Sequence, residues 1–112
     1  MNLNFDPRIE RLKSILKILK LKNLSEENRK KHKKFAFYAI EKVAGLYFSL
    51  ESREAEKILA KAMDSADDEI RARAFAIILQ AEMMGFKLRK RTLLKLKKAE
   101  EAVLIANQKP PA

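Results

Sequence analysis

Apolar residues recur along this chain at three- and four-residue intervals, and that spacing predicts a succession of α-helices. Ile9, Leu12, Ile15, Leu16 and Leu19 form one stripe, behind Asp6 as N-cap and Pro7 at the first helical position. The stripe runs to about Lys22, and Asn23-Leu24-Ser25 breaks it. Ser25 is placed to cap a second helix, with Glu26 and Glu27 favourable in its first turn. That helix opens on the basic run Arg29-Lys30-Lys31-His32-Lys33-Lys34. It then turns apolar nearly all round, with Phe35, Phe37, Tyr38, Ile40, Val43, Leu46, Tyr47 and Phe48. A helix without a polar face is normally the buried one, so the core is expected to be built on it.

Ser49 or Ser52 is the expected cap of a third helix, which carries Ala55, Ile58, Leu59, Ala62 and Met63. Asp64-Ser65-Ala66-Asp67-Asp68 reads as a turn, with Ser65 and Asp68 spaced like a capping pair. Ile70, Ala74, Ile77, Ile78, Ala81 and Met84 predict a fourth helix. Gly85 reads as its C′ residue, and Phe86 as the apolar residue that packs back on the last turn. A fifth helix starts between Leu88 and Thr92, with Leu96, Ala99, Val103 and Ala106 as a narrow stripe. The expected fold is all-α: one compact bundle or array of about five helices over residues 1–108, with 109–112 as a frayed tail.

Composition supports this reading. Gly (2) and Pro (3) are scarce, and Pro7, Pro110 and Pro111 all lie near the ends, which leaves an interior almost free of helix breakers. With 47% apolar and 36% charged residues the chain reads as globular, and at 112 residues it is long enough for one core. The scarcity of Gly and abundance of charge also suit a thermophilic source. There is no cysteine, which excludes disulfides and thiolate metal or redox sites. The start MNLNFDPRIE lacks the pattern of a signal peptide. The longest apolar stretch, Phe35 to Leu50, is interrupted by Glu41 and Lys42, so no membrane span is expected. The cytoplasm is the expected location.

Charge adds a functional dimension. The formal net charge of +10 is concentrated at the two ends. Residues 1–50 carry 12 Lys/Arg against 5 Asp/Glu, and residues 86–112 carry 8 against 2. The stretch 51–85 has 5 against 8. Two basic blocks around an acidic middle point to a polyanionic partner, of which nucleic acid is the commonest. Three basic clusters stand out: the outer face of the first helix, residues 29–34, and residues 87–98. The expected phosphate contacts are Arg29, Lys30, Lys31, Lys33 and Lys34 in the second cluster. In the third they are Lys87, Arg89, Lys90, Arg91, Lys95, Lys97 and Lys98.

Two resemblances bear on residues 58–99. Ala81-x3-Gly85-Phe86, followed by Arg89-Lys90-Arg91-Thr92-Leu93-Leu94-Lys95, resembles the helix-turn-helix of DNA-binding proteins. The resemblance implies a small residue at a helix crossing, a Gly turn and a second helix that enters the major groove, with Arg89, Arg91 and Lys95 as contacts. The stretch from Gly85 to Thr92 is about two residues longer than that pattern, and Arg91 falls where an apolar residue belongs. Ile58-Leu59-x3-Met63-Asp64, with Asp68-Glu69-Ile70-Arg71-x2-Ala74-x4-Leu79, resembles a single HEAT repeat, which implies a binding scaffold.

Chemistry of other kinds finds little support. The acidic turn lacks the spacing and central Gly of an EF-hand, and helix capping accounts for it. His32 is the only histidine and sits among lysines, which disfavour a cation. Tyr38 and Tyr47 are of the type that stacks on bases, but their helix is apolar enough that core packing is expected. No Gly-rich phosphate loop is present. The sequence therefore predicts a small non-enzymatic nucleic-acid-binding protein, DNA favoured over RNA, with no cofactor and with its acidic middle directed away from the ligand. The alternative is a helical adaptor or small subunit of a larger assembly, basic because its protein partner is acidic, with Met63, Met83 and Met84 as adaptable contacts. A homodimer is compatible with either.

Overall fold

A computed structural model describes residues 5–107, and the tail expected at 109–112 lies outside them. Five helices follow one another: α1 (Pro7–Leu19), α2 (Glu26–Leu50), α3 (Arg53–Ala62), α4 (Asp68–Met83) and α5 (Lys90–Asn107). The described residues contain no strand. The fold is all-α.

Local chemistry sets most of the boundaries. The Asp6 carboxylate accepts the Arg8 N–H at 2.8 Å, and Pro7 opens α1. α1 stops at Leu19, three residues short of the expected end, because Arg29 of α2 reaches back to it. The guanidinium donates to Leu19 O at 2.8 Å and to Leu21 O at 3.1 Å, satisfying carbonyls that the helix end leaves without partners. Ser25 Oγ accepts the Asn28 N–H at 3.2 Å and starts α2. α2 ends where Glu51 turns left-handed, at φ 48° and ψ 38°. Ser52, not Ser49, caps α3: its Oγ accepts the Ala55 N–H at 3.2 Å, while Ser49 donates within α2 to Gly45 O at 2.8 Å.

The capping pair expected at Ser65 and Asp68 is replaced by a different cap. Asp67 Oδ1 accepts the N–H groups of Glu69 at 2.9 Å and Ile70 at 3.0 Å, while Ser65 Oγ takes the N–H of Asp67 itself at 3.1 Å. A carboxylate two to three residues ahead of two free amides outcompetes the more distant hydroxyl. At the other end of α4 the expected closure is present. Gly85 takes φ 91°, its N–H donates to Glu82 O at 2.9 Å, and the Phe86 N–H donates to Ala81 O at 3.0 Å. Phe86 then packs edge-on against Tyr47, with ring centroids 5.3 Å apart.

α2 packs on α1, α3 and α4, α3 touches all four other helices, and α5 packs only on α3 and α4. Leu12, Ile40, Val43, Leu59, Ile70, Ile78 and Leu96 are fully buried in one core. Each such side chain contributes about 1.5–3 kcal/mol of hydrophobic stabilisation. The molecule measures 57 × 40 × 19 Å, a slab thin enough that no helix is covered on every side. That overturns one expectation. α2 buries Ala36, Ala39, Ile40, Val43, Ala44, Leu46 and Tyr47, but Tyr38 is 57% and Phe35 41% exposed. At 100° per residue, 35 and 38 turn away from the line through 36, 40, 43 and 47.

One polar cluster lies inside. Glu56 of α3 is buried, and its Oε2 accepts from the Arg89 backbone N–H at 3.1 Å, Arg89 Nε at 3.2 Å and Thr92 Oγ1 at 2.6 Å. The carboxylate thus caps the start of α5 from a neighbouring helix.

Candidate nucleic-acid interface

The outer side of α2 is where exposed cations and exposed aromatics coincide. Lys31, Lys34, Phe35, Tyr38 and Lys42 fall one turn after another on the side opposite the core, and all five are exposed. The Lys42 ammonium lies 5.2 Å from the centre of the Tyr38 ring. Arg8 and Arg11 of α1 join Pro7, Tyr38, Ala39 and Lys42 around a shallow hollow of about 230 Å³ beside it. Among the described residues Lys31, Lys34, Lys42 and Arg11 have no ion-pair partner. Arg8 is held by Asp6 through two hydrogen bonds, at 3.0 and 2.8 Å, and that bond draws the Asp6 carboxyl below its usual range. Glu41 bounds the patch, with Arg73 Nε at 2.6 Å holding its pKa down.

The sequence-predicted contacts divide into two groups. Arg29, Lys33, Arg89 and Lys95 are committed within the fold. Arg29 caps α1 and Arg89 holds Glu56. Lys33 bridges Asp67 Oδ2 at 3.1 Å and Glu69 Oε1 at 2.9 Å, bonds that raise its pKa. Lys95 binds Asp64 Oδ2 at 2.6 Å and Ala60 O at 3.2 Å. The other eight (Lys30, Lys31, Lys34, Lys87, Lys90, Arg91, Lys97 and Lys98) are exposed. The two basic segments approach each other only through the α3–α4 turn, where Asp67 meets Lys33 and Asp64 meets Lys95. The acidic turn Asp64–Glu69 therefore lies between the basic segments instead of facing away from them. Two carboxylates three residues apart on one turn, Asp64 and Asp67, draw both lysines toward it. Six residues, Met84–Arg89, join α4 to α5, where Arg91 is exposed and Thr92 takes the inward position.

The sequence does not single out Lys42 and Phe35 as contacts, places Arg11 only within the basic outer face of α1, and leads to core packing for Tyr38, which is exposed. The signal was the same helical spacing that finds a core stripe, read on the wrong side. Tyr47, the second tyrosine, is buried as expected, and its hydroxyl has no hydrogen-bond partner. Burial, with the carboxylates of Glu56 and Glu51 nearby, pushes the phenol above its usual pKa. His32 Nδ1 donates to Asn28 O at 2.8 Å and the ring packs edge-on against Phe35, which steadies that aromatic.

A second concavity opens on the other side of α1. Lys13, Lys17 and Lys20 stand in a row one turn apart and face Lys61 of α3 across a cleft of about 880 Å³. Leu16, Leu19, Leu21 and Ile58 line it together with Asp64 and Asp67. No aromatic side chain lines it. Among the described residues no helix is long and apolar enough to cross a membrane. In comparisons with known proteins, the chain matches no family model, no curated sequence and no solved structure at a significant level.

Proposed function

We propose that this protein binds nucleic acid, without catalysing a reaction, through the outer side of α2. One observation carries the reading: Phe35 and Tyr38 stand exposed in line with Lys31, Lys34 and Lys42. Exposed rings among cations match a ligand that alternates flat bases with phosphates. Bases stack on the rings, worth about 1–3 kcal/mol each. The lysines and Arg11 neutralise phosphates and release counterions. Because bases must be splayed out to reach a ring, the favoured ligand is a single strand, and the preference for DNA drawn from the helix-turn-helix resemblance is decided by the same experiment.

The test is fluorescence anisotropy with single-stranded DNA, single-stranded RNA and duplex DNA between 50 and 300 mM salt. Tyr38→Ala is expected to weaken single-strand binding about 5- to 150-fold at every salt concentration, because stacking is insensitive to screening. Lys31→Ala and Lys34→Ala are each expected to flatten the log–log salt dependence by about 0.7. Absence of binding at 50 mM salt, or a Tyr38→Ala variant that binds like the parent, overturns the reading.

The cleft between α1 and α3 supports the adaptor as a second reading. Its leucine floor under a lysine rim suits an acidic amphipathic segment of a protein partner. In that case Lys17→Glu and Lys61→Glu abolish partner binding and leave nucleic-acid binding through α2 untouched.

A further inference from the structure

α5 carries a surface that matches itself. Leu94, Lys98, Glu101 and Ile105 are spaced four, three and four residues apart, so they line one side of the helix. That side points away from Thr92 and Leu96, the buried residues by which α5 sits on α3 and α4. Leu94 is 61% and Ile105 70% exposed. Lys98 and Glu101 are exposed too, and neither has an ion-pair partner among the described residues.

Along the helix the stripe runs apolar, basic, acidic, apolar. In the reverse direction it runs apolar, acidic, basic, apolar. An antiparallel copy related by a twofold axis between Lys98 and Glu101 therefore meets its complement at every position. Leu94 falls on Ile105 of the second copy and Lys98 falls on Glu101, and the symmetry repeats both matches. A parallel copy would set Lys98 on Lys98 and Glu101 on Glu101, which like-charge repulsion disfavours. We infer that α5 is a self-association surface whose occupant is a second copy of this chain, docked antiparallel through Leu94, Lys98, Glu101 and Ile105. The 4-3-4 spacing is that of a helix–helix seam, here apolar at its two ends and charge-paired at its centre. A contact of one short helix per copy falls below the ~1,200 Å² of a stable interface, so the dimer forms and dissociates with concentration.

The inference does not depend on the nucleic-acid reading, because it uses another helix and is measured without ligand. The experiment is sedimentation velocity of the parent chain and three charge variants over roughly 10–500 µM, a range set by the weak affinity of so small an interface. The parent is expected to shift from monomer to dimer across that range. Lys98→Glu sets two carboxylates together in both central pairs of the seam, and Glu101→Lys does the same with two ammonium groups. Each is expected to raise the dimer Kd by about tenfold or more. The double variant K98E/E101K restores the pairing with the charges exchanged and is expected to regain the parent's dimerisation. Both residues are exposed, so circular dichroism is expected to show all variants equally helical. A parent that stays monomeric throughout overturns the inference, as does a double variant no better than the single ones.

Discussion

Glu56 and Tyr47 show how a few buried polar atoms govern the stability of this small core. Glu56 gathers three donors on one oxygen, and removing it leaves the half-buried Arg89 amide and the buried Thr92 hydroxyl without this acceptor. Glu56→Ala is expected to lower unfolding free energy by about 3 kcal/mol in urea denaturation, and Glu56→Gln, which keeps an acceptor, by less. Tyr47 is the opposite case. Its ring packs against Phe48 and Phe86, but its hydroxyl is buried without a partner. Tyr47→Phe keeps the ring and removes the orphan, and is expected to raise stability by about 1 kcal/mol. Neither role was legible in the sequence. Nothing in the sequence marks Glu56 out, because its partners lie more than thirty residues away. The same holds for Arg29, Lys33 and Lys95, whose partners within the fold lie on other helices and turns. A sequence gives the charge of a side chain, whereas its partner depends on how helices cross.

At the scale of elements, periodicity and capping chemistry found all five helices. They failed where two caps competed or where a helix faced water on a side that looked apolar. Gly45 is a site where the sequence leaves stability unrealised: it sits within α2, and a Cβ there would meet nothing within 4 Å. Gly45→Ala is expected to stabilise the fold by about 0.5–1 kcal/mol, read as a higher thermal midpoint. Several carboxylates link the elements to pH. Partial burial pushes the Asp67 carboxyl up, but hydrogen bonds from the Ile70 amide and Lys33 outweigh it, and its pKa ends below the usual value. Glu41 is lowered by Arg73 and Asp6 by Arg8. Groups with depressed folded-state values stabilise fully above their unfolded values of 3.8 for Asp and 4.5 for Glu. That contribution disappears as pH falls through the lower, folded values. The thermal midpoint is therefore expected to be flat above about pH 5.5 and to decline modestly as pH falls below about 4. Asp67→Asn retains an oxygen for the cap but does not titrate, so it is expected to reduce the acid-dependent loss.

For the whole molecule, thinness is the property that matters. A slab only 19 Å deep leaves every helix with an outer side, so the uncovered side of each carries whatever the protein presents. On α2 that is cations with aromatics, on α1 a row of lysines above leucines, and on α5 a self-complementary stripe. The basic character of the ends was plain from the sequence, but its division among these surfaces was not. It depends on α5 packing against α3 and α4 alone, away from α1 and α2. The central claim is that the outer side of α2 neutralises phosphates, and the salt dependence of single-strand binding tests it most directly. Lys31, Lys34, Lys42 and Arg11 together predict a slope of log K against log salt of about −3, at 0.7 per phosphate contact. A slope near zero, or no binding at the lowest salt, contradicts the account.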